Sequence, residues 1–189
     1  TQGVSSAASD VYKRQEQDPA LWVEGARKAV AEALAVAGRT QIRCIGLSGQ
    51  MHGLVALDEG HRVLRPALLW NDQRNGAECA KITERAGGLE ALLAATNNRM
   101  LIGYTGGKIV WMRENEPELF ARMTCMLNPK DYLRLVLSGE VATEVSDASG
   151  TGLFDTRRRQ WARELTERIG LDPASVSYTH LRAHETSLH

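Results

Sequence analysis

Gln50, Met51 and His52 stand where an apolar run breaks into polar side chains. Their types place hydrogen-bonding groups beside an apolar wall. Gln50 carries one acceptor and two donors, neutral His52 carries one of each, and Met51 offers a soft apolar wall. A second set, Trp70, Asn71, Asp72 and Arg74, follows the apolar pair Leu68-Leu69. On residue types alone both sets also have plainer readings. His52 and Met51 suit a core, Asp72 a helix cap, Arg74 an ion pair with a neighbouring carboxylate, and Trp70 a core position. Lys130 and Asp131, adjacent opposite charges at a helix start, fit capping better than catalysis. Asp147, in a Ser- and Gly-rich stretch, reads as a turn stabiliser that positions the pocket.

The elements that must deliver these residues follow from pattern. Asp18-Pro19 reads as N-cap and first helical residue. The helix then carries an alanine-rich face, expected to pack on a sheet, and closes at Gly38. Gln41 to Ser48 is predicted as a strand whose end presents Gln50 to His52 at a cleft. Leu54 to Leu57 and Val63 to Trp70, flanking Asp58-Glu59-Gly60-His61, predict a hairpin. Helices are predicted over Arg74 to Arg85, Leu89 to Ala95, Gly107 to Glu114, Glu118 to Met123, Tyr132 to Leu137 and Trp161 to Ile169. Strands are predicted at Cys125 to Leu127 and Leu153 to Asp155, with a loop from Ser146 to Thr151. Strands alternating with helices indicate an α/β fold.

The segments SGQMHG (Ser48 to Gly53) and LLWNDQR (Leu68 to Arg74), in this order and at this distance, resemble the xylulokinase branch of the FGGY carbohydrate kinases. Glu16-Gln17-Asp18-Pro19, Asn128-Pro129-Lys130-Asp131-Tyr132-Leu133-Arg134, Ser138-Gly139-Glu140 and Ser146-Asp147-Ala148-Ser149-Gly150-Thr151 continue the likeness. The resemblance covers Glu16 to Ser175. It implies a ribonuclease-H-like first domain of the actin-like ATPase superfamily, incomplete and lacking its opening strands. It also implies that Met51 and His52, with Gln50 beside them, bind D-xylulose, while Trp70 and Asp72 help to shape the cleft. Gly106-Gly107 departs from the Ala-Pro that the family places before Lys108.

The same resemblance implies phosphoryl transfer from ATP with Mg²⁺ in an intact enzyme. The family's DLGTS-like phosphate hairpin and GGGDN-like stretch with the catalytic Asp are not found in this sequence. No catalytic residue is therefore assigned here, and neither ATP nor Mg²⁺ is expected to bind this fragment tightly. Gly103 to Lys108 does not substitute for a phosphate loop: Ile102 falls on the first Walker glycine and Ile109 where Ser or Thr should follow. Without opening strands beside Ile42 to Leu47, the chain is expected to expose apolar surface and to be aggregation-prone or partly molten. A kinase for another ketose or polyol such as ribulose, or a non-catalytic α/β sugar-binding module, are the alternatives. Glycerol kinases carry an Arg-Glu pair where Met51 and His52 stand, which disfavours that branch.

Val4 to Gln15 and Val176 to His189 resemble conceptual translations of sequencing-library adapters. Residues 1–15 and 176–189 are accordingly expected to be scars flanking a partial kinase domain over 16–175. This removes the i, i+4 pair His180 and His184 as metal ligands, and no metal site is expected. Lys plus Arg balance Asp plus Glu at 23 each, so no net field attracts nucleic acid or an anionic membrane. The pattern holds no membrane span or signal peptide. Cys44, Cys79 and Cys125 lack CxxC spacing, which predicts a reducing, cytoplasmic setting with each thiol as small apolar filler.

Overall fold

The computed structural model describes residues 14–38 and 41–176. The adapter-like tails, including His180, His184 and His189, lie almost wholly outside them. In chain order the elements begin with β1 (Glu16–Gln17), α1 (Pro19–Ala37), β2 (Val55–Leu57), β3 (Ala67–Leu68), α2 (Gly76–Arg85) and α3 (Leu89–Thr96). They continue with α4 (Thr105–Asn115), α5 (Pro117–Arg122), β4 (Cys125–Leu127), α6 (Pro129–Ser138) and α7 (Val145–Ser149). The chain closes with β5 (Phe154–Asp155), β6 (Gln160–Trp161), α8 (Arg163–Arg168) and α9 (Pro173–Val176).

The core sits on β2 and β4. They pair antiparallel, Val55 opposite Leu127 and Leu57 opposite Cys125, and every residue of both is buried. A strand buried on both faces needs an apolar side chain at each position, and both sequences supply it. Helix α4 presses Ile109 and Met112 into the same core. The predicted hairpin forms, with a Leu54–Leu68 bridge at its base and Leu57–Val63 near its tip. Its turn is fixed by Asp58, whose carboxylate accepts from the Gly60 and Arg62 amides at 2.9 Å each.

Several expectations are corrected. No strand forms over Gln41 to Ser48: the residues form no regular element and pair with no described strand, and Ile42 and Ile45 are exposed. A strand is held by the ladder of a neighbour, and no described strand lies alongside it. Helix α1 begins as predicted, with Asp18 accepting from the Ala20 amide. Its alanine face, however, meets no sheet among the described residues; only Pro19 is buried, and Leu21, Val30, Leu34 and Val36 are exposed. Glu16–Gln17 forms a short strand against Ala67–Leu68 that pattern reading missed. The predicted loop at Ser146 to Thr151 contains α7, because Glu144 accepts from the Ser146 and Asp147 amides and starts a helical turn there. Trp161 lies on β6, not in the following helix, where its ring packs edge-on against Phe154 at 5.5 Å. Cys79 and Cys125 are buried, but Cys44 is exposed on the unpaired segment.

Candidate functional site

The segment from Gly49 to Gly53 runs along the start of α6. A Cβ on Gly49 would lie 3.5 Å from that of Lys130. One on Gly53 would overlap Pro129 Cγ at 2.7 Å and press on the Leu68 carbonyl oxygen at 3.3 Å. Gly53 is thus required for close approach, and the approach fixes the direction in which the two preceding side chains leave the backbone. His52 itself adopts left-handed geometry, φ 66°, a conformation uncommon outside glycine that His tolerates better than most.

Met51 and His52 converge on one point, Gly150 just after α7. The His52 Nδ1 lies 2.9 Å from the Gly150 carbonyl oxygen. A Cβ on Gly150 would meet the imidazole and come within 3.3 Å of Met51 Cε. Tyr104, at the start of α4, lays its ring against the imidazole with centroids 4.9 Å apart. Burial lowers the His52 pKa below its ordinary value; the Gly150 hydrogen bond opposes this, and the nearby Lys108 ammonium adds to it. Gln50 is partly buried beside them, and its Oε1 is buried without a protein partner among the described residues.

The second sequence set divides. Trp70 is 55% exposed, so it is not core, and its carbonyl oxygen approaches Gly103 on the turn before Tyr104. Asp72 is fully buried and already saturated: it accepts from the Gln15 amide at 2.7 Å and from Arg74 Nε and NH2 at 2.8 Å. Asp72 does not cap α2; Asn75 holds that position. The reading of Arg74 as an ion-pairing residue holds: it pairs with Asp72 and Glu16 and stacks over the Trp111 ring at 4.8 Å. Asp72 therefore braces the Trp70 turn through Arg74 and the Gln15 amide.

Three supporting residues have no part in the site as read from the sequence, although Lys108 and Gly150 lie in stretches singled out there. Lys108 is fully buried, and its ammonium donates to the carbonyls of Ile102 (3.1 Å), Gly103 (2.5 Å) and Tyr104 (3.3 Å). Burial pushes its pKa down to about 8, with the Asp72 charge resisting. It clamps the turn that seats Tyr104 and is in no position to bind phosphate. Tyr104 and Gly150 are the other two, and their roles depend on contacts distant in sequence. Gly106 and Gly107 lie in the first turn of α4. A Cβ on Gly106 would approach the Thr151 carbonyl at 2.9 Å, and one on Gly107 would overlap Asn75 and Cys79. The departure from Ala-Pro is thus matched by tight packing.

On the other side of Gly49 lies an ionic cluster. Lys130 Nζ is 2.5 Å from Asp131 and 3.0 Å from Asp147. Burial raises both carboxyls, Asp147 to about 6. Burial also works against the Lys130 charge, but the hydrogen bond and charge of Asp131, with Asp147, more than compensate and raise its pKa. Asp147 thus ties α7, and with it Gly150, to the start of α6. A cavity of about 490 Å³ opens between Ile45–Leu47 and α6; it is lined by Lys130 and Asp131 but not by Met51 or His52. Among the described residues no group of three or more His, Cys, Asp or Glu could hold a metal, and no helix is long and apolar enough to cross a membrane.

Comparison with known proteins identifies what this arrangement resembles. Residues 4–184 match the profile of the FGGY family of carbohydrate kinases, N-terminal domain. A xylulose kinase from Bacillus subtilis (strain 168) is 43% identical over 158 residues, covering 82% of this chain and 31% of that protein. A xylulose kinase from Lactococcus lactis subsp. lactis (strain IL1403) is 44% identical over 161 residues, 83% of this chain and 31% of that protein. Among solved structures, a xyloylose kinase from Brucella ovis superimposes with TM-score 0.81 at 42% identity, covering 87% of this chain and 34% of that one. The xylulose kinase from Rhodospirillum rubrum does so with TM-score 0.79 at 30% identity, covering 89% and 35%. The chain therefore spans about a third of the length of the curated relatives it matches.

Proposed function

Since the chain belongs to the FGGY family of carbohydrate kinases, we propose that it supplies the sugar-binding face of an enzyme that transfers the γ-phosphate of ATP to D-xylulose, giving D-xylulose 5-phosphate. Its fold is part of the ribonuclease-H-like, actin-like first domain of these kinases. The observation that carries the proposal is the convergence of Met51 and His52 on Gly150, beside Tyr104. A thioether wall, an uncharged imidazole and the unpaired amide oxygen of Gln50 suit the carbon backbone and hydroxyls of a pentulose. Trp70 and Asp72 take supporting roles in this reading: Trp70 is largely exposed on the turn facing Gly103, and Asp72 holds that turn through Arg74.

Phosphoryl transfer to a hydroxyl requires a base for the hydroxyl proton and cations or donors around the transferred phosphoryl group. The residues described here do not fit that second task. Lys108 is already held by three carbonyls, and no carboxylate cluster suited to Mg²⁺ is present among the described residues. We assign binding and orientation of the sugar to this chain, and nucleotide, Mg²⁺ and catalytic base to other parts of the enzyme. The adapter-like reading of 1–15 and 176–189 belongs to the same proposal.

The test is sugar-dependent ADP release by the complete gene product, with D-xylulose, D-ribulose and glycerol compared at equal concentration. D-xylulose should give the highest kcat/KM, and Met51→Ala should raise KM more than it lowers kcat. Equal or better turnover of glycerol or D-ribulose would overturn the substrate assignment.

A further inference from the structure

The orientation of the imidazole carries information that its mere presence in the pocket does not. We infer that His52 is a fixed hydrogen-bond acceptor: its Nδ1–H is committed to the Gly150 carbonyl, and the Nε2 lone pair is held out for a hydroxyl proton of the ligand. The inference rests on the pocket reading above and specifies its polarity.

A backbone carbonyl can only accept, so a 2.9 Å contact from Nδ1 to the Gly150 oxygen places the proton on Nδ1. A neutral imidazole has one N–H, and the other nitrogen is then an acceptor. The ring cannot readily turn to exchange these roles. Tyr104 covers one face, Gly150 abuts the edge with no room for a Cβ, and the left-handed backbone at His52 fixes where the side chain begins. The charge state agrees: burial disfavours the imidazolium, and the Lys108 ammonium repels it, with Tyr104 the other titratable group against the ring. The described hydrogen bonds leave Nε2 free for a ligand.

The consequence is selectivity by polarity. A hydroxyl can donate to Nε2, whereas a carbonyl or carboxylate oxygen there would set two lone pairs face to face. This position of the pocket therefore selects a ligand carbon bearing OH over one oxidised to C=O or COO⁻. It orients a ketose so that its carbonyl lies elsewhere.

The tautomer is directly measurable on the full 189-residue chain. Long-range proton–nitrogen correlation on uniformly ¹⁵N-labelled protein at pH 7.5 should show a protonated Nδ1 and an unprotonated Nε2 for His52. On adding D-xylulose, the Nε2 resonance and the Met51 ε-methyl should both move. An Nε2–H tautomer or an imidazolium at that pH overturns the inference. So does a Met51 methyl that responds while Nε2 stays silent, an outcome that leaves the pocket reading standing. Silence of both at saturating sugar refutes the pocket reading itself, and the acceptor role falls with it. His52→Gln, whose amide oxygen can stand near the Nε2 position, should keep part of the xylulose response, and His52→Phe should abolish it. Equal responses in the two variants would refute the acceptor role.

Discussion

Replacing Gly150 with alanine isolates the contact on which the site depends. The backbone there, φ −70° and ψ −4°, is ordinary right-handed geometry, so alanine meets no conformational obstacle. Space is the obstacle: the new methyl would overlap the His52 ring and sit 3.3 Å from Met51 Cε. Both side chains must move. Losing the Nδ1 hydrogen bond costs about 1 kcal/mol, and crowding in a packed region costs about 1–3 kcal/mol. Stiffening the unfolded chain returns about 0.4–1 kcal/mol. The net destabilisation is about 1–3 kcal/mol, which lowers Tm by roughly 2–10 °C for a chain of this size. The ligand effect should be larger in proportion. A displaced acceptor and a displaced apolar wall together should weaken sugar affinity by about tenfold or more, since about 1.4 kcal/mol is tenfold. Thermal unfolding followed by circular dichroism and a xylulose titration followed at Met51 read the two effects separately. An unchanged Tm together with an unchanged titration would refute the claim that Gly150 is glycine for the sake of His52 and Met51.

Gly25 is the matched control: it lies within α1 and a Cβ would meet nothing within 4 Å. Gly25→Ala should stabilise the chain by about 0.5–1 kcal/mol, read from denaturant midpoints. Asp147, raised to about 6 in the folded chain from an ordinary 3.8, contributes stability that is fully present below 3.8 and lost as pH rises through 6. The stability difference between wild type and Asp147→Asn should therefore fall by about 2 kcal/mol from pH 4 to pH 7, and a flat difference would discount the buried carboxyl. Lys108→Met leaves three turn carbonyls without their donor and should cost about 2–3 kcal/mol at pH 7 by chemical denaturation. Because the folded pKa of about 8 lies below the ordinary 10.5, the unfolded state binds more protons between them. The wild-type advantage should widen over that window. The exposed Ile42 and Ile45 should bind an apolar dye, and Ile42→Ser with Ile45→Ser should remove most of that signal; a wild-type chain with no dye signal would sink the expectation of exposed apolar surface.

What the sequence determined by itself is the local grammar and the chemical inventory. Asp18 before Pro19 starts α1, Asp58 with Gly60 closes the hairpin, and apolar runs mark β2 and β4, because caps, turns and burial preferences act over a few residues. Motif order likewise carried the family resemblance and pointed to Gln50, Met51 and His52. Tertiary structure alone decided what each of these could pair with. Gln41 to Ser48 has strand composition yet no described strand beside it, and the alanine face of α1 has no sheet beneath it among the described residues, since a ladder or a buried face needs a second element. Trp70 and Asp72, adjacent in one motif, part company, one toward solvent and one into an ion-pair network. The proton on His52 is assigned by a carbonyl 98 residues away. Hydrogen-bond polarity belongs to a pair of groups, and only the folded chain brings that pair together.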